Sequence, residues 1–127
     1  MNTSLDSLSD EFKPLAIELL ARLVEAGIAV RIISTRRTEA EHQKNLALGV
    51  SWIKHSKHLD GNAIDVAPYS QLDLYGTNKL EWDANALVWE KMCVIAEGLG
   101  LRCGYRWAQK DCGHYELKNP KSKEVLT

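Results

Sequence analysis

Two short runs in this 127-residue chain concentrate the side chains able to do chemistry. The first is Ser56-Lys57-His58-Leu59-Asp60-Gly61-Asn62-Ala63-Ile64-Asp65, and the second, well downstream, is Asp111-Cys112-Gly113-His114-Tyr115-Glu116. Together they offer His58, Asp65 and His114 as metal ligands, with Asp111 as a separate carboxylate. Two imidazoles and one carboxylate suit a catalytic zinc ion, which keeps one coordination position open for water. A further carboxylate beside that water is the general base that metal-assisted hydrolysis needs. Cys112 competes for a ligand place, since thiolate binds zinc well. It lacks a CxxC partner and stands second.

The elements that must bring these runs together follow from periodicity. Leu8, Phe12, Leu15, Leu19, Leu20 and Leu23 recur at helical spacing, with Ser9 or Asp10 as a cap, a regular start near Pro14, and Gly27 as the stop. Ile28 to Thr35 reads as a buried strand. Thr38-Glu39-Ala40-Glu41 fits a capping box and opens a short helix to about Leu48. Val50 to Gly61 is a long connection carrying Trp52, His55, Ser56 and His58, and Gly61 supplies a tight turn that returns His58 towards Asp65. Asn62 to Ala67 alternates, so Ile64 and Val66 meet the core while Ala63, Asp65 and Ala67 look into a cleft. Leu72 to Trp82 reads as a small hairpin or flap. Asp83 then caps a helix that runs to about Leu99, with Cys93 packing as a small apolar residue. Strands are expected at Leu101–Trp107 and His114–Leu117. Asp111 and His114 would face opposite sides of a regular strand, so they share a cleft only if Gly113 turns the backbone between them.

Composition bounds the alternatives. The length suits one domain with its own hydrophobic core. Apolar residues make up 45% and charged residues 26%, as in ordinary soluble domains. A formal net charge of −1 gives no overall field favouring nucleic acid, and no stretch is apolar enough to insert in a membrane. The basic tail, Lys118, Lys121 and Lys123, reads as a solvated end. Three cysteines cannot all pair within one chain, which argues for a reducing compartment of synthesis. Met1 to Asp10 is polar and acidic, unlike a secretory signal.

At the end of the first strand stand Arg36 and Arg37. Arginines at a strand end commonly face solvent; the functional reading has one of them binding an anionic or carbonyl oxygen of a substrate, and position alone does not choose between them. Trp107 fits a site wall or the core equally well. His42 and His55 carry no assigned role, His42 riding the short helix and His55 serving as a rim residue or a neighbour of a ligand.

The pattern Ser56-x-His58-x-x-Gly61-x-Ala63-x-Asp65, followed by Trp107, Asp111-x-x-His114 and Glu116, resembles the zinc D-alanyl-D-alanine carboxypeptidase and L-alanyl-D-glutamate peptidase family, above all its short phage endolysins. The likeness runs from about Pro14 to Leu117. It implies an α+β fold of the Hedgehog/DD-peptidase type, with a mostly antiparallel sheet and helices on one side, forming a single catalytic domain over residues 1–127 without a separate wall-binding domain. It places His58, Asp65 and His114 as zinc ligands, Asp111 as the base, and Arg37 as the group that assists the substrate carbonyl. Arg36 stays in play, because Ser34-Thr35-Arg36-Arg37-Thr38 departs from the family's Ser-Gly-Tyr-Arg-Ser pattern. Ser56, Trp107 and Glu116 fall beside the site as substrate-contacting or supporting residues.

The activity the resemblance implies is zinc-dependent hydrolysis of the L-alanyl-D-glutamate bond in the peptidoglycan stem peptide by a monomer. The enzyme would be made in the host cytoplasm and reach the wall through a membrane lesion. The alternatives are a D-alanyl-D-alanine carboxypeptidase or dipeptidase of the same family, and a non-catalytic, zinc-stabilised binding module such as Hedgehog domains exemplify.

Overall fold

Ala16, Leu19 and Leu23 line one face of the first helix, α1 (Lys13–Glu25), and are fully buried. Pro14 occupies its first turn, where a missing N–H costs nothing. Leu8 and Phe12 continue the same apolar surface but belong to the turn before the helix, where the Ser9 hydroxyl accepts from the Phe12 N–H. The computed structural model describes residues 2–48, 56–70 and 79–120.

Strand β1 (Val30–Ser34) is shorter than expected, because both ends are held elsewhere. The Ile28 N–H turns back to the Leu23 carbonyl, and the Thr35 N–H goes to the Asn2 carbonyl. Helix α2 (Glu39–Ala47) opens on the predicted capping box: Thr38 Oγ1 accepts from the Glu41 N–H, and the Glu41 carboxylate accepts from the Thr38 N–H. A 3-10 turn (Lys57–Asp60) leads into β2 (Ala63–Pro68). Then come helix α3 (Leu87–Gly98), β3 (Leu101–Cys103), a further 3-10 turn (Gly104–Arg106) and β4 (His114–Leu117).

The four strands form one sheet in the order β1-β2-β4-β3, with every neighbouring pair antiparallel. One face carries Ile64, Val66, Tyr115 and Leu117 into a core shared with α1 and α3, where Trp89, Met92, Cys93 and Ala96 are buried. Trp89 is fully enclosed, and its indole N–H is satisfied by the Asp83 carbonyl at 3.0 Å. Truncating so large a ring would cost about 3–5 kcal/mol. The chain is therefore an α+β fold, as the family resemblance implied. Among the described residues no helix is long and apolar enough to cross a membrane.

Three local expectations are corrected. Helix α3 starts at Leu87 behind Ala86, while the Asp83 carboxylate accepts from the Asn85 N–H and makes the turn before the helix. Strand β3 stops at Cys103 instead of running to Trp107, since the Gly104 carbonyl accepts from both the Trp107 and the Asp111 N–H groups and bends the chain. Ala63 and Ala67 are fully buried, so on that face of β2 only Asp65 reaches the cleft. The expected hairpin falls largely on residues 71–78, and Trp52 and His55 on 51–55, all outside the described residues.

Candidate metal centre

Strand β2 is the inner strand that meets both β1 and β4, and Asp65 sits at the crossing point. It pairs with His114 on one side and Ser34 on the other. Cross-strand partners share a face and stand about 5 Å apart, so the β2–β4 register alone sets a carboxylate beside an imidazole. The β1 pairing is irregular between Ile32 and Ser34, and this bulge lies next to the site, as bulges commonly do.

His58 arrives on the 3-10 turn. The Ser56 hydroxyl caps that turn by accepting from the His58 N–H, and Gly61 closes it with φ 74°, the conformation its sequence position called for. Ser56 thus supports a candidate ligand by shaping its backbone. Gly113 supplies the turn between Asp111 and His114. Its φ is 90°, and a Cβ there would sit 2.5 Å from the Val66 carbonyl oxygen, so a side chain is excluded on both counts.

The result is three donor groups, His58, Asp65 and His114, whose ligand atoms all lie within 4.8 Å of one another. Asp65 Oδ1 is 3.1 Å from His58 Nε2 and 3.0 Å from His114 Nδ1. Each imidazole has its far nitrogen engaged. His58 Nδ1–H donates to the Thr35 carbonyl at 2.6 Å, and His114 Nε2–H donates to Glu116 Oε1 at 2.8 Å. These bonds fix the tautomers so that His58 Nε2 and His114 Nδ1 face the common centre, the arrangement in which imidazoles bind metals. His58 Nε2 is buried and, despite its nearness to Asp65, makes no aligned hydrogen bond. A buried nitrogen with a free lone pair, aimed at a carboxylate and a second imidazole, fits a metal cation.

The electrostatics agree. Burial alone would push Asp65 up, but the electrostatic pull of the neighbouring His58 and a hydrogen bond with His114 hold it well below the usual carboxylate range. Burial pulls His114 down, but its hydrogen bonds to Asp65 and Glu116 outweigh that and push it up to about 10. The pocket around Nδ1 is thus built to receive positive charge, whether a proton or a metal ion. A buried His58–Asp65–His114 group able to bind a metal is in place.

The remaining predicted residues group around it. Asp111 Oδ2 is 3.9 Å from His114 Nδ1, and its side chain is 43% exposed, reachable from the cleft. Partial burial raises its carboxyl above the ordinary value, against the pull of His114. Trp107 tilts over His114 with ring centroids 5.2 Å apart. Glu116 is buried and bonded to His114 and to Lys57. The two arginines part company. Arg36 spends its guanidinium on the Ser7 and Asp60 carbonyls, each at 2.9 Å. Arg37 is anchored by its N–H to the His58 carbonyl, and its Nη1 lies 3.4 Å from His42 Nδ1; its charge also reaches Asp111. Cys112 is half buried against the core, its thiol pushed up by burial, and it is not among the clustered donors.

Three contributors escaped the sequence reading. Thr35 acts through a backbone carbonyl, which leaves no residue-type signal. His42 is the one buried residue of α2, and no residue-type signal in that helix marked it out. Lys57 sits beside His58 in the same run but reaches across to β4.

Comparison with known proteins accords with this geometry. Residues 1–122 match the family described as phage L-alanyl-D-glutamate peptidase. Over 95 residues the chain is 32% identical to the L-alanyl-D-glutamate peptidase of Escherichia phage T5, covering 68% of this chain. The chain spans 65% of that relative's length. Its fold is similar to that in the crystal structure of the Serratia marcescens L-Ala D-Glu endopeptidase ChiX, with a TM-score of 0.71 at 17% identity, covering 97% of this chain and 87% of the other. The family match takes in both segments that bear the candidate ligands and nearly the whole length, and the chain belongs to the phage L-alanyl-D-glutamate peptidase family.

Proposed function

We propose that the chain is a zinc peptidase that hydrolyses the bond between L-alanine and D-glutamate in the peptidoglycan stem peptide. The observation that carries this reading is the His58–Asp65–His114 cluster with Asp111 at its open edge, in a chain of a family named for that activity.

His58 through Nε2, His114 through Nδ1 and Asp65 through Oδ1 would hold the ion. Zinc bound there acts as a Lewis acid and makes water nucleophilic near neutral pH. Asp111, close by but outside the donor cluster, accepts the proton of the attacking water. It then returns the proton to the leaving amine. Arg37 donates to the scissile carbonyl oxygen as negative charge builds on it. Trp107 walls the cleft beside His114 and excludes water from one side. Thr35 and Glu116 hold the two imidazoles in orientation. The enzyme acts on the wall as a monomer, after release from the cytoplasm in which it is made.

Mass spectrometry of muropeptides tests the proposal. Incubation of purified peptidoglycan with zinc-loaded protein should release peptides that begin with D-glutamate and leave L-alanine on the muramoyl sugar. Loss of terminal D-alanine alone, or an unchanged muropeptide profile, would contradict it.

A further inference from the structure

We propose that Lys57 is a positioning residue for the metal centre, one that holds both histidine-bearing segments in place at once. The inference rests on the ligand set just proposed. Lys57 immediately precedes His58, on the turn that carries it. Its ammonium crosses to β4, 3.0 Å from Glu116 Oε2, and donates to the Leu117 carbonyl at 2.8 Å. The other Glu116 oxygen, Oε1, accepts from His114 Nε2. A continuous chain of polar contacts therefore runs from the backbone of one ligand to the ring of the other.

This is not a surface ion pair. The Lys57 and Glu116 side chains are only 17% and 8% exposed. Removing one partner of a buried pair leaves the other charge uncompensated and free to shift. Among the described residues one further cation lies near Glu116, poorly placed to take over. Arg102 Nε is 3.9 Å from Glu116 Oε2, beyond hydrogen-bond range, and its side chain is 51% exposed. The same corner is closed by backbone bonds from the Asn62 N–H to the Lys57 carbonyl and from the Leu117 N–H to the Asn62 carbonyl, so the turn and β4 are already in contact. What Lys57 adds is orientation: it anchors the Glu116 carboxylate, and that carboxylate aims His114 Nδ1 at the centre.

The test measures zinc affinity by competition with a chelating dye, alongside thermal melting of each chelator-treated chain to report on the fold. Lys57→Met keeps the volume and removes the charge. It should weaken zinc binding about 10–100-fold, the usual cost of losing an outer partner of a metal-bound histidine. Glu116→Gln should weaken it through the same route, so the doubly substituted chain should bind zinc no worse than the weaker single variant. Unchanged affinity in Lys57→Met, or losses that simply add, would overturn the proposal. Nitrogen NMR of His114 in the unaltered zinc-loaded chain decides the matter even if Lys57→Met fails to fold. A protonated Nε2 and a metallated Nδ1 are expected, and the reverse would overturn the chain of contacts. Failure of the unaltered chain to bind zinc would overturn the ligand assignment and this inference with it. Tight zinc binding indifferent to Lys57 would overturn this inference alone.

Discussion

Among the described residues, two clusters bring three potential metal ligands within 4.8 Å of one another: His58, Asp65 and His114 at the strand crossing, and Cys93, Glu97 and Cys103 where α3 meets β3. In the first, each imidazole is pinned through its far nitrogen, and Asp65 is kept ionised between them. In the second, burial pushes the Cys93 and Cys103 thiols up, which keeps them protonated, and Cys103 Sγ donates to the Cys93 carbonyl at 3.4 Å. Glu97 is exposed and already paired with Arg106, which also clamps Glu90 through two bonds at 2.7 and 2.6 Å. A cation entering the second cluster would have to strip two protons and displace a guanidinium. Donor spacing is common to both clusters; orientation and charge compensation separate a group able to bind a metal from core packing beside a surface ion pair.

The contrast breaks most sharply at the histidines. His58→Ala and His114→Ala should each take zinc content from about one per chain to near none and abolish peptide hydrolysis, as read by elemental analysis and muropeptide release. Next comes Arg37→Ala, expected to lower the hydrolysis rate about 10²–10³-fold while zinc stays bound, because it removes a donor to the developing oxyanion and no ligand. Arg36→Ala, whose guanidinium serves the Ser7 and Asp60 carbonyls, should affect stability more than turnover; equal rate losses for the two variants would blur the distinction. Gly113→Ala should cost about 1–3 kcal/mol in chemical denaturation, because φ 90° and the Val66 carbonyl leave no room for a side chain. The smallest effect is expected from the cysteines: Cys103→Ser and Cys112→Ser should keep zinc at about one per chain. Zinc loss in either would mean that a thiolate belongs to the site.

What could be read from residue types was mostly local or periodic. The capping box of α2 needs only Thr38 and Glu41, and it formed as written. The alternation of β2 set Asp65 on the face opposite Ile64 and Val66, but its place beside His114 comes from the β2–β4 register. Tertiary contact decided the remainder. β3 ends at Cys103 because Gly104 is needed by Asp111 and Trp107, and Ala63 and Ala67 are buried by neighbours that alternation does not reveal. Arg36 and Arg37 are indistinguishable as letters; only the carbonyls within reach of each separate them. Thr35 orients His58 through an atom every residue has.

The central claim is that three residues hold the metal while a fourth, Asp111, moves the proton. Asp111→Asn tests it, with zinc content and hydrolysis rate measured on the same preparation. Asparagine keeps the size and the backbone bond that the Asp111 carbonyl accepts from the His114 N–H, but it cannot take a proton from water. The account predicts about one zinc per chain and a hydrolysis rate lower by about 10²–10⁴-fold. Undiminished hydrolysis would reduce Asp111 to a turn residue, and loss of zinc would place it among the ligands; either result would contradict the division of labour.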